Sequence, residues 1–263
     1  MKNATNQQVN EMPGQVVGYY SSRKGKLLKD FNRTLSLIRG WLVARYGEEF
    51  ASALQREARQ EFEKLLPEIP YIKALRAGPL NIFLLATAQE LAAYKTMANH
   101  GKSPAETWEL CHQAIRLRVV KIPRWKRWLL RRLMFSSLVK AIMARRARQK
   151  QRGHFGDFEI EYLIGEGENF DFGVNYLQCG NHRFAMKHGG EAFAPYICMS
   201  DIALSDALGW GLKRTQTIAD GYHHCDFRFK QGAATQISSK TPEVQDVIER
   251  ISEKEAKQRQ KGG

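Results

Sequence analysis

The residues best suited to chemistry lie in residues 194–229, the segment APYICMSDIALSDALGWGLKRTQTIADGYHHCDFRF. Pro195 predicts a helix start, which places Cys198 in the first helical turn, where free amide groups and the helix dipole stabilise a thiolate. Asp201 follows three residues later and shares a helical face with the thiol. These positions indicate a nucleophilic cysteine beside a carboxylate. The alternative is structural, because cysteine is often a small buried apolar residue and aspartate favours a helix start.

A second cysteine, Cys225, begins the last predicted strand of this segment. Alternation along the strand places Cys225 on the same face as Phe227, which points inward, and places His224 and Arg228 on the opposite face. If the inward face packs on the helix that carries Cys198, the two thiols meet in one pocket.

Two thiols, a carboxylate and a histidine in one pocket suit two kinds of chemistry. In covalent catalysis, the Cys198 thiolate attacks an electron-poor carbon while His224 or Asp201 transfers the proton. In a zinc site, sulfur and nitrogen atoms bind a metal that activates water. Cys179, at the end of an earlier predicted strand, is a third candidate thiol. The cysteines do not show the short spacings of known zinc motifs, so we predict no metal and no other cofactor.

Two arginines of the segment could hold an anionic substrate. Arg214 and Arg228 fall on neighbouring predicted strands, residues 212–219 and 224–230. Either guanidinium could bind a carboxylate through two parallel hydrogen bonds. The alternative is that each arginine is a surface residue of the sheet.

The elements that carry these residues predict an α+β fold. Residues 1–25 read as a loose leader. Residues 26–152 show apolar side chains every three or four positions, which indicates helices, and they end in a basic helical segment. Residues 153–232 alternate apolar and polar side chains, which predicts an antiparallel sheet with one inserted helix, and this region carries the candidate site. Residues 233–263 form a charged tail of helical propensity, which we expect to be frayed.

Local signals predict individual boundaries. Ser103 and Glu106 have the spacing of a capping box at a helix start. Residues 172–186 alternate apolar and polar side chains and predict one long strand. The helix that begins at Pro195 is expected to end near residue 208, because Gly209 suits the position after a helix.

The net charge of +14 is concentrated in one part of the chain. Residues 116–152 contain fourteen Lys or Arg and no Asp or Glu. Such a segment could bind nucleic acid or an anionic membrane surface. Its apolar residues, however, fall on more than one side of a helical wheel, with a bend predicted at Ser136, and no nucleic-acid-binding motif is present. The sequence therefore favours a solvated, charged face.

Composition also bears on location. The first twenty residues are polar and hold no apolar core of signal-peptide length, so we expect no export. No run of about 18 apolar residues is present, which predicts no membrane-spanning helix. Four cysteines without an export signal indicate reduced thiols in the cytoplasm.

A series of positions between residues 169 and 229 follows the pattern of a known family. These positions are Phe170-Asp171, Gly173-Val174, Tyr176, Cys179, Phe184, Pro195-Tyr196, Cys198, Asp201, Gly209, Leu212, Arg214-Thr215, Thr217, Gly221 and Cys225-Asp226-Phe227-Arg228-Phe229. On these residues the chain resembles the L-2-amino-thiazoline-4-carboxylic acid hydrolase family, and a looser similarity extends over residues 30–230.

The resemblance implies a hydrolase that opens a cyclic amidine with water and yields a carbamoyl-cysteine. The chemistry of this reaction suits the residues of the segment: the candidate catalytic residues are Cys198 as nucleophile, Asp201, Cys225 and His224. The candidate substrate-binding residues are Arg214, Arg228 and Tyr196. Two alternatives stay open: a domain of the same fold that binds a small ligand without turnover, and a protein that binds an anionic partner through residues 116–152.

Overall fold

The computed structural model of the chain describes residues 15–16, 18–74, 77–165 and 170–261. Helices occupy the first half, and a six-stranded sheet with further helices occupies the second. The predicted α+β class is confirmed. Residues 1–14 and 17 of the predicted leader lie outside the described residues.

The helices and strands have the following bounds. The helices are α1 (Lys24–Tyr46), α2 (Glu48–Leu65), α3 (Gly78–Asn99), α4 (Pro104–Val120), α5 (Arg124–Met134), α6 (Ser137–Arg148), α7 (Gly180–Lys187), α8 (Ala194–Ile197), α9 (Ser200–Leu208) and α10 (Pro242–Lys261). The strands are β1 (Gln15–Val16), β2 (Tyr71–Ile72), β3 (Arg152–Phe155), β4 (Phe158–Ile164), β5 (Phe172–Gln178), β6 (Leu212–Arg214), β7 (Cys225–Phe229) and β8 (Gln236–Ile237).

The first four helices pack on one another and on the sheet around one core. The turn between α1 and α2 lies at Gly47, whose φ of 87° is in the region that favours glycine. The predicted capping box opens α4. Ser103 Oγ accepts from the Glu106 N–H at 3.2 Å, and the Glu106 carboxylate accepts from the Ser103 N–H at 3.0 Å.

The main sheet has the strand order β3-β4-β5-β7-β6-β8. All pairs are antiparallel except β6 and β8, which are parallel. The last edge therefore departs from the predicted wholly antiparallel sheet. The chain reverses after β7 and places β8 on the free edge of β6, where it runs in the same direction as β6.

The helices between β5 and β6 differ from the prediction of one inserted helix. The strand ends at Gln178, and α7 follows, with Phe184 buried in the core from one helical face. The helix predicted over residues 195–208 is divided into α8 and α9 by Cys198 and Met199. The predicted end of α9 is confirmed, because Gly209 adopts a left-handed conformation with φ 67°.

The basic segment and the tail are both ordered helices. The predicted bend separates α5 from α6, where Ser136 Oγ accepts a hydrogen bond from the Val139 N–H at 3.4 Å. The tail was expected to be frayed, but α10 buries Val244, Val247 and Ile248 in the core. No helix among the described residues has the length and apolar character needed to cross a membrane.

Candidate active site

A cavity of about 640 Å³ lies between the helical half and the sheet. Its walls come from α1, α3 and α4 on one side and from α7, α9 and strands β5 to β7 on the other. Polar side chains and thiols line the part next to α7, α9 and the sheet. The part between α1, α3 and α4 is lined mainly by apolar side chains, together with Asp30, Thr34, Thr87, Gln89, Cys111 and Arg118. The polar and thiol lining residues near the sheet are Glu90, Cys179, Asn181, His182, Cys198, Ser200, Asp201, Arg214 and Cys225.

Three free thiols converge on the sheet side of this cavity, and a fourth, Cys111 of α4, lines it from the helical side. The structure places Cys198 and Cys225 there together, as the sequence analysis expected of their packing, and adds Cys179. The Cys225 thiol accepts a hydrogen bond from the Ile218 N–H at 3.3 Å. Burial, followed by the neighbouring thiols, raises the pKa of Cys179 and of Cys225 to about 12. These side chains are therefore neutral thiols near pH 7.

The Cys198 thiol is also neutral, so the predicted lowering of its pKa is wrong. Burial raises the pKa of Cys198, and the nearby charge of Arg214 only partly opposes this rise. The reason lies in the helix boundaries: Cys198 follows the short helix α8 as its C-cap residue, and its own N–H bonds to the Ala194 carbonyl at 3.5 Å. The free amides of the next helix start belong to α9, which begins at Ser200, and among the described residues none of them donates to the Cys198 thiol, so they do not offset its burial.

Asp201 and Arg214 form a buried ion pair in the cavity wall. Arg214 Nη1 donates to Asp201 Oδ2 and to the Cys198 carbonyl oxygen, the latter at 2.8 Å. The Arg214 side chain is 2% exposed, whereas Asp201 keeps 25% exposure. Burial raises the pKa of Asp201, and the positive charge of Arg214 acts against this rise. The guanidinium thus holds a carboxylate at the cavity surface.

The turn after β6 fixes the position of Arg214. Asp226 Oδ1 accepts from the Thr215 N–H at 2.8 Å and from the Gln216 N–H at 2.6 Å, and Asp226 Oδ2 accepts from Thr215 Oγ1 at 2.8 Å. These bonds tie the chain directly after Arg214 to β7, which carries Cys225. Thr215 and Asp226 are among the residues that carry the family resemblance.

A second carboxyl group, Glu90, lines the cavity from α3. Ser200 Oγ lies 2.8 Å from Glu90 Oε1 and donates to it. Burial, together with the charge of Asp201, raises the pKa of Glu90 to about 8, and the bond from Ser200 acts in the opposite direction. Glu90 therefore carries its proton at neutral pH. Glu90 and Asp201 thus line one cavity in different surroundings, an arrangement that separates a proton donor from a proton acceptor.

The sequence analysis missed Glu90 because it looked for the site only in the second half of the chain. A signal was present in the sequence. Glu90 is the one acid in the helix GPLNIFLLATAQELAAYKTMAN, and it lies among the buried residues Ala88, Leu91 and Ala92. A carboxyl group on the buried face of an apolar helix is costly unless it is protonated or paired, and such groups gather at functional sites.

Three residues named from the sequence do not line the cavity. His224 directly precedes β7. Arg228 lies on the face of β7 opposite Cys225 and donates to the Phe227 and Val174 carbonyl oxygens at 3.0 and 3.4 Å. Tyr196 is buried under α10, where the charges of that helix act on its hydroxyl group. Period-two alternation of the strand explains the position of Arg228.

A histidine does line the cavity, but it is His182 in the first turn of α7. Burial lowers the pKa of His182, so its imidazole is neutral near pH 7. The backbone N–H groups of His182 and Asn181 donate hydrogen bonds to the Cys179 sulfur. The sequence analysis did not find His182 because it assigned this residue to a strand.

The apolar part of the cavity extends along α3. Ile82, Ala86 and Glu90 are spaced by four residues and form one row on the cavity side of this helix. Eight residues of helix span about 12 Å, so Glu90 lies about that far from the exposed Ile82. At the same end Arg118 bonds to Asp30 Oδ2 and Thr34 Oγ1, which links α4 to α1 across the rim.

No group of three or more His, Cys, Asp or Glu side chains in the described part of the chain is arranged to hold a metal ion. Near the sheet the cavity presents the carboxyl groups of Glu90 and Asp201, the Arg214 guanidinium, the His182 imidazole and the thiols of Cys179, Cys198 and Cys225.

The comparisons with known proteins fit this region. A family model described as L-2-amino-thiazoline-4-carboxylic acid hydrolase matches residues 82–229, which is more than half of the 263-residue chain. The matched range runs from α3 to the end of β7 and includes Glu90, His182, Asp201, Arg214 and all the cavity cysteines. No curated protein and no solved structure was found to match the chain.

Proposed function

The chain belongs to the L-2-amino-thiazoline-4-carboxylic acid hydrolase family, and we propose that it opens a cyclic amidine of this kind with water. The water oxygen bonds to the carbon between the ring nitrogen and the ring sulfur. The double bond from that carbon to the ring nitrogen is broken in two stages, addition of the water and then cleavage of the remaining C–N bond. The nitrogen takes one proton in each stage, two in all, and leaves as an amine, while the water oxygen becomes the new carbonyl oxygen. The product of the thiazoline is then a carbamoyl-cysteine. One observation carries the proposal: Glu90, with a pKa of about 8, and the Arg214-bound Asp201 line the same cavity.

The two carboxyl groups suit the two proton transfers of this reaction. Glu90 is protonated at neutral pH and gives its proton to the departing ring nitrogen. Asp201 is held as a carboxylate by Arg214 and takes a proton from the attacking water. Such positioned acids and bases typically contribute about 100- to 10,000-fold to a rate.

Arg214 acts through Asp201 in this proposal. The sequence had suggested Arg214 as a clamp for a substrate carboxylate. The side chain, however, is almost fully buried, and its Nη1 donates to Asp201 and to the Cys198 carbonyl oxygen. We therefore assign it a positioning role: it keeps Asp201 ionised and oriented.

The raised thiol pKa values favour attack by water over attack by a cysteine. A thiolate is the reactive form of cysteine, and burial makes that form scarce at Cys198 near neutral pH. The three thiols then serve as a compact, polarisable wall around the amidine.

The length of the cavity favours a substrate that is larger than the bare thiazoline. Cavities of about 300–1,000 Å³ typically hold ligands of drug size. A single five-membered ring beside Glu90 leaves the space along Ala86 and Ile82 unused. We infer that the substrate is a cyclic amidine with an apolar extension, which lies between α1, α3 and α4.

The proposal is tested by incubating the purified protein with L-2-amino-thiazoline-4-carboxylate and measuring carbamoyl-cysteine by mass spectrometry. We expect turnover, and we expect Asp201→Asn to lower kcat/KM by at least about 100-fold. Asp246→Asn, an exposed position on α10, is the matched control and should retain full activity. Tight binding of the thiazoline and of its extended analogues without any conversion would instead identify a binding domain and refute the hydrolase.

The role of Cys198 has its own test. Cys198→Ala should lower kcat by less than about tenfold, because the thiol is neutral and the attacking group is water. A loss as large as that of Asp201→Asn, together with a trapped covalent adduct on the wild-type thiol, would replace the water mechanism with attack by cysteine.

A further inference from the structure

Helix α5 turns its apolar side chains toward solvent. Trp125 is 62% exposed, Trp128 is 51% exposed and Leu133 is 55% exposed, and their spacing places them on one side of the helix. The other side faces the protein, where the Arg131 side chain lies against Gly209 at the end of α9. This is the reverse of the usual arrangement, in which the apolar side of a surface helix packs on the core.

Helix α6 also exposes apolar side chains. Leu138 is 69% exposed, and Ile142, four residues later, is also exposed. The exposed apolar side chains of the two helices, here called the α5–α6 face, are Trp125, Trp128, Leu129, Leu133, Leu138 and Ile142.

Contacts with the sheet hold the two helices in this orientation. Phe135, between them, is buried, and its ring centroid lies 5.5 Å from that of Phe172. Lys140 Nζ pairs with Asp171 Oδ1 at 2.6 Å. The Arg146 guanidinium lies 4.6 Å from the centre of the Tyr162 ring. The outward orientation of the α5–α6 face is therefore fixed by packing.

Positive charge is placed on the same face. Lys126 Nζ lies 5.4 Å from the centre of the Trp125 ring, and the Arg132 guanidinium lies 5.4 Å from that of Trp128. Neither cation pairs with a carboxylate among the described residues. Residues 116–152 contain fourteen cations and no acid. Exposed tryptophans among Lys and Arg are typical of helices that lie in the interfacial region of a bilayer.

We propose that the α5–α6 face docks on the surface of a lipid bilayer with anionic headgroups. The indole and leucine side chains enter the headgroup region, and the cations contact the lipid phosphates. A second copy of the chain fits less well, because it would bring two such basic segments together. Nucleic acid would satisfy the charges, but it would leave the exposed apolar side chains without a partner.

Docking in this way brings the cavity close to the bilayer. Arg118 and Ile122 line the apolar end of the cavity and directly precede α5, which begins at Arg124. An apolar substrate extension could then pass between the bilayer and the cavity. The docking itself depends only on the surface, so it stands or falls separately from the proposed reaction.

The test is sedimentation of the full-length protein with vesicles of phosphatidylcholine, with or without phosphatidylglycerol. We expect binding only to the anionic vesicles, decreasing as salt is raised. Trp125→Ala/Trp128→Ala should weaken this binding by about tenfold or more, because the apolar area that enters the interface is lost. Lys126→Gln/Arg132→Gln should also weaken it by about tenfold or more, since each cation near an anionic surface contributes to binding.

A charge-matched control is Lys26→Gln/Lys29→Gln, two exposed positions on α1, which should bind as the wild type does. Three results would overturn the proposal. One is no binding to anionic vesicles at low salt. The second is retention of duplex DNA, unchanged by the tryptophan substitutions, in place of vesicle binding. The third is a dimer in solution that the tryptophan substitutions dissociate.

Discussion

Helices α3 and α5 depart from the usual helix pattern in opposite directions. α3 turns the carboxyl group of Glu90 into the interior, whereas α5 turns Trp125 and Trp128 out to solvent. Burial of an acid costs desolvation, and an exposed indole forgoes the stabilisation that burial would give it. Neither arrangement helps the fold, which suggests that each is kept for a function. The buried Glu90 lies in the proposed active site, and the exposed Trp125 and Trp128 lie on the proposed docking surface.

The largest effect is expected from Glu90→Gln, which tests the proposed role of the buried carboxyl group of α3. The amide cannot give up a proton, so we expect kcat/KM for the cyclic amidine to fall by about 100- to 10,000-fold. The wild-type profile should also fall above about pH 8, as the Glu90 proton is lost. That descending limb should be missing from the residual activity of the variant.

The matched control for this substitution is Glu191→Gln, because Glu191 is exposed. Wild-type activity with an unchanged alkaline limb is expected there. Full activity of Glu90→Gln would show that the buried acid of α3 has only a structural role, and the comparison between the two helices would lose its catalytic half.

The same carboxyl group should make stability depend on pH. The pKa of Glu90 is raised from 4.5 to about 8 in the folded protein. Between these values the unfolded chain has released the proton and the folded chain has kept it, so rising pH favours unfolding. From pH 5 to pH 8 we expect the free energy of unfolding of the wild type to fall by on the order of 2–4 kcal/mol relative to Glu90→Gln.

Denaturant titrations of both proteins at several pH values measure this difference. Parallel curves, with no extra loss in the wild type as pH rises, would contradict the raised pKa. The expected slope is at most about 1.4 kcal/mol per pH unit, as for one proton.

The sequence predicted much of the scaffold because local signals determine it. The capping box at Ser103, the end of α9 at Gly209 and the bend at Ser136 all depend on neighbouring residues alone. Errors arose where tertiary contacts decide. Residues 180–186 alternate as a strand would, but Phe184 reaches the core from a helix. The parallel pairing of β8 with β6 likewise depends on how the chain returns after β7.

The candidate site shows the same limit. Strand alternation correctly placed Cys225 inside and Arg228 on the other face. The pKa of Cys198, in contrast, depends on burial and on the division of one predicted helix into α8 and α9, which the sequence pattern does not show. Glu90 precedes Cys198 by 108 residues along the chain, so only the fold brings the two side chains into one cavity.

A smaller effect is expected at the apolar end of the cavity, along α3. Ala86 lies between Ile82 and Glu90 on the cavity row of α3, so Ala86→Phe should fill the space for an apolar extension. We expect KM for an alkyl-extended cyclic amidine to rise by about tenfold or more, with little change for the bare thiazoline. Ala98→Phe, exposed at the end of α3, is the control. Equal effects of Ala86→Phe on both substrates would contradict an extended substrate.

The smallest effect is expected for the exposed tryptophans of α5, and it concerns the free energy of unfolding. This measurement separates a loss of docking from a loss of folding. Trp125 and Trp128 are exposed and contribute little burial, so Trp125→Ala/Trp128→Ala should change the free energy of unfolding by less than about 0.5 kcal/mol. Phe135→Ala, on the buried side of the same segment, should cost about 3–5 kcal/mol, as is usual for a core phenylalanine. Denaturant unfolding measures both. A large loss for the tryptophan variant would mean that the indoles pack against the protein, and its weaker vesicle binding would then report damage to the fold.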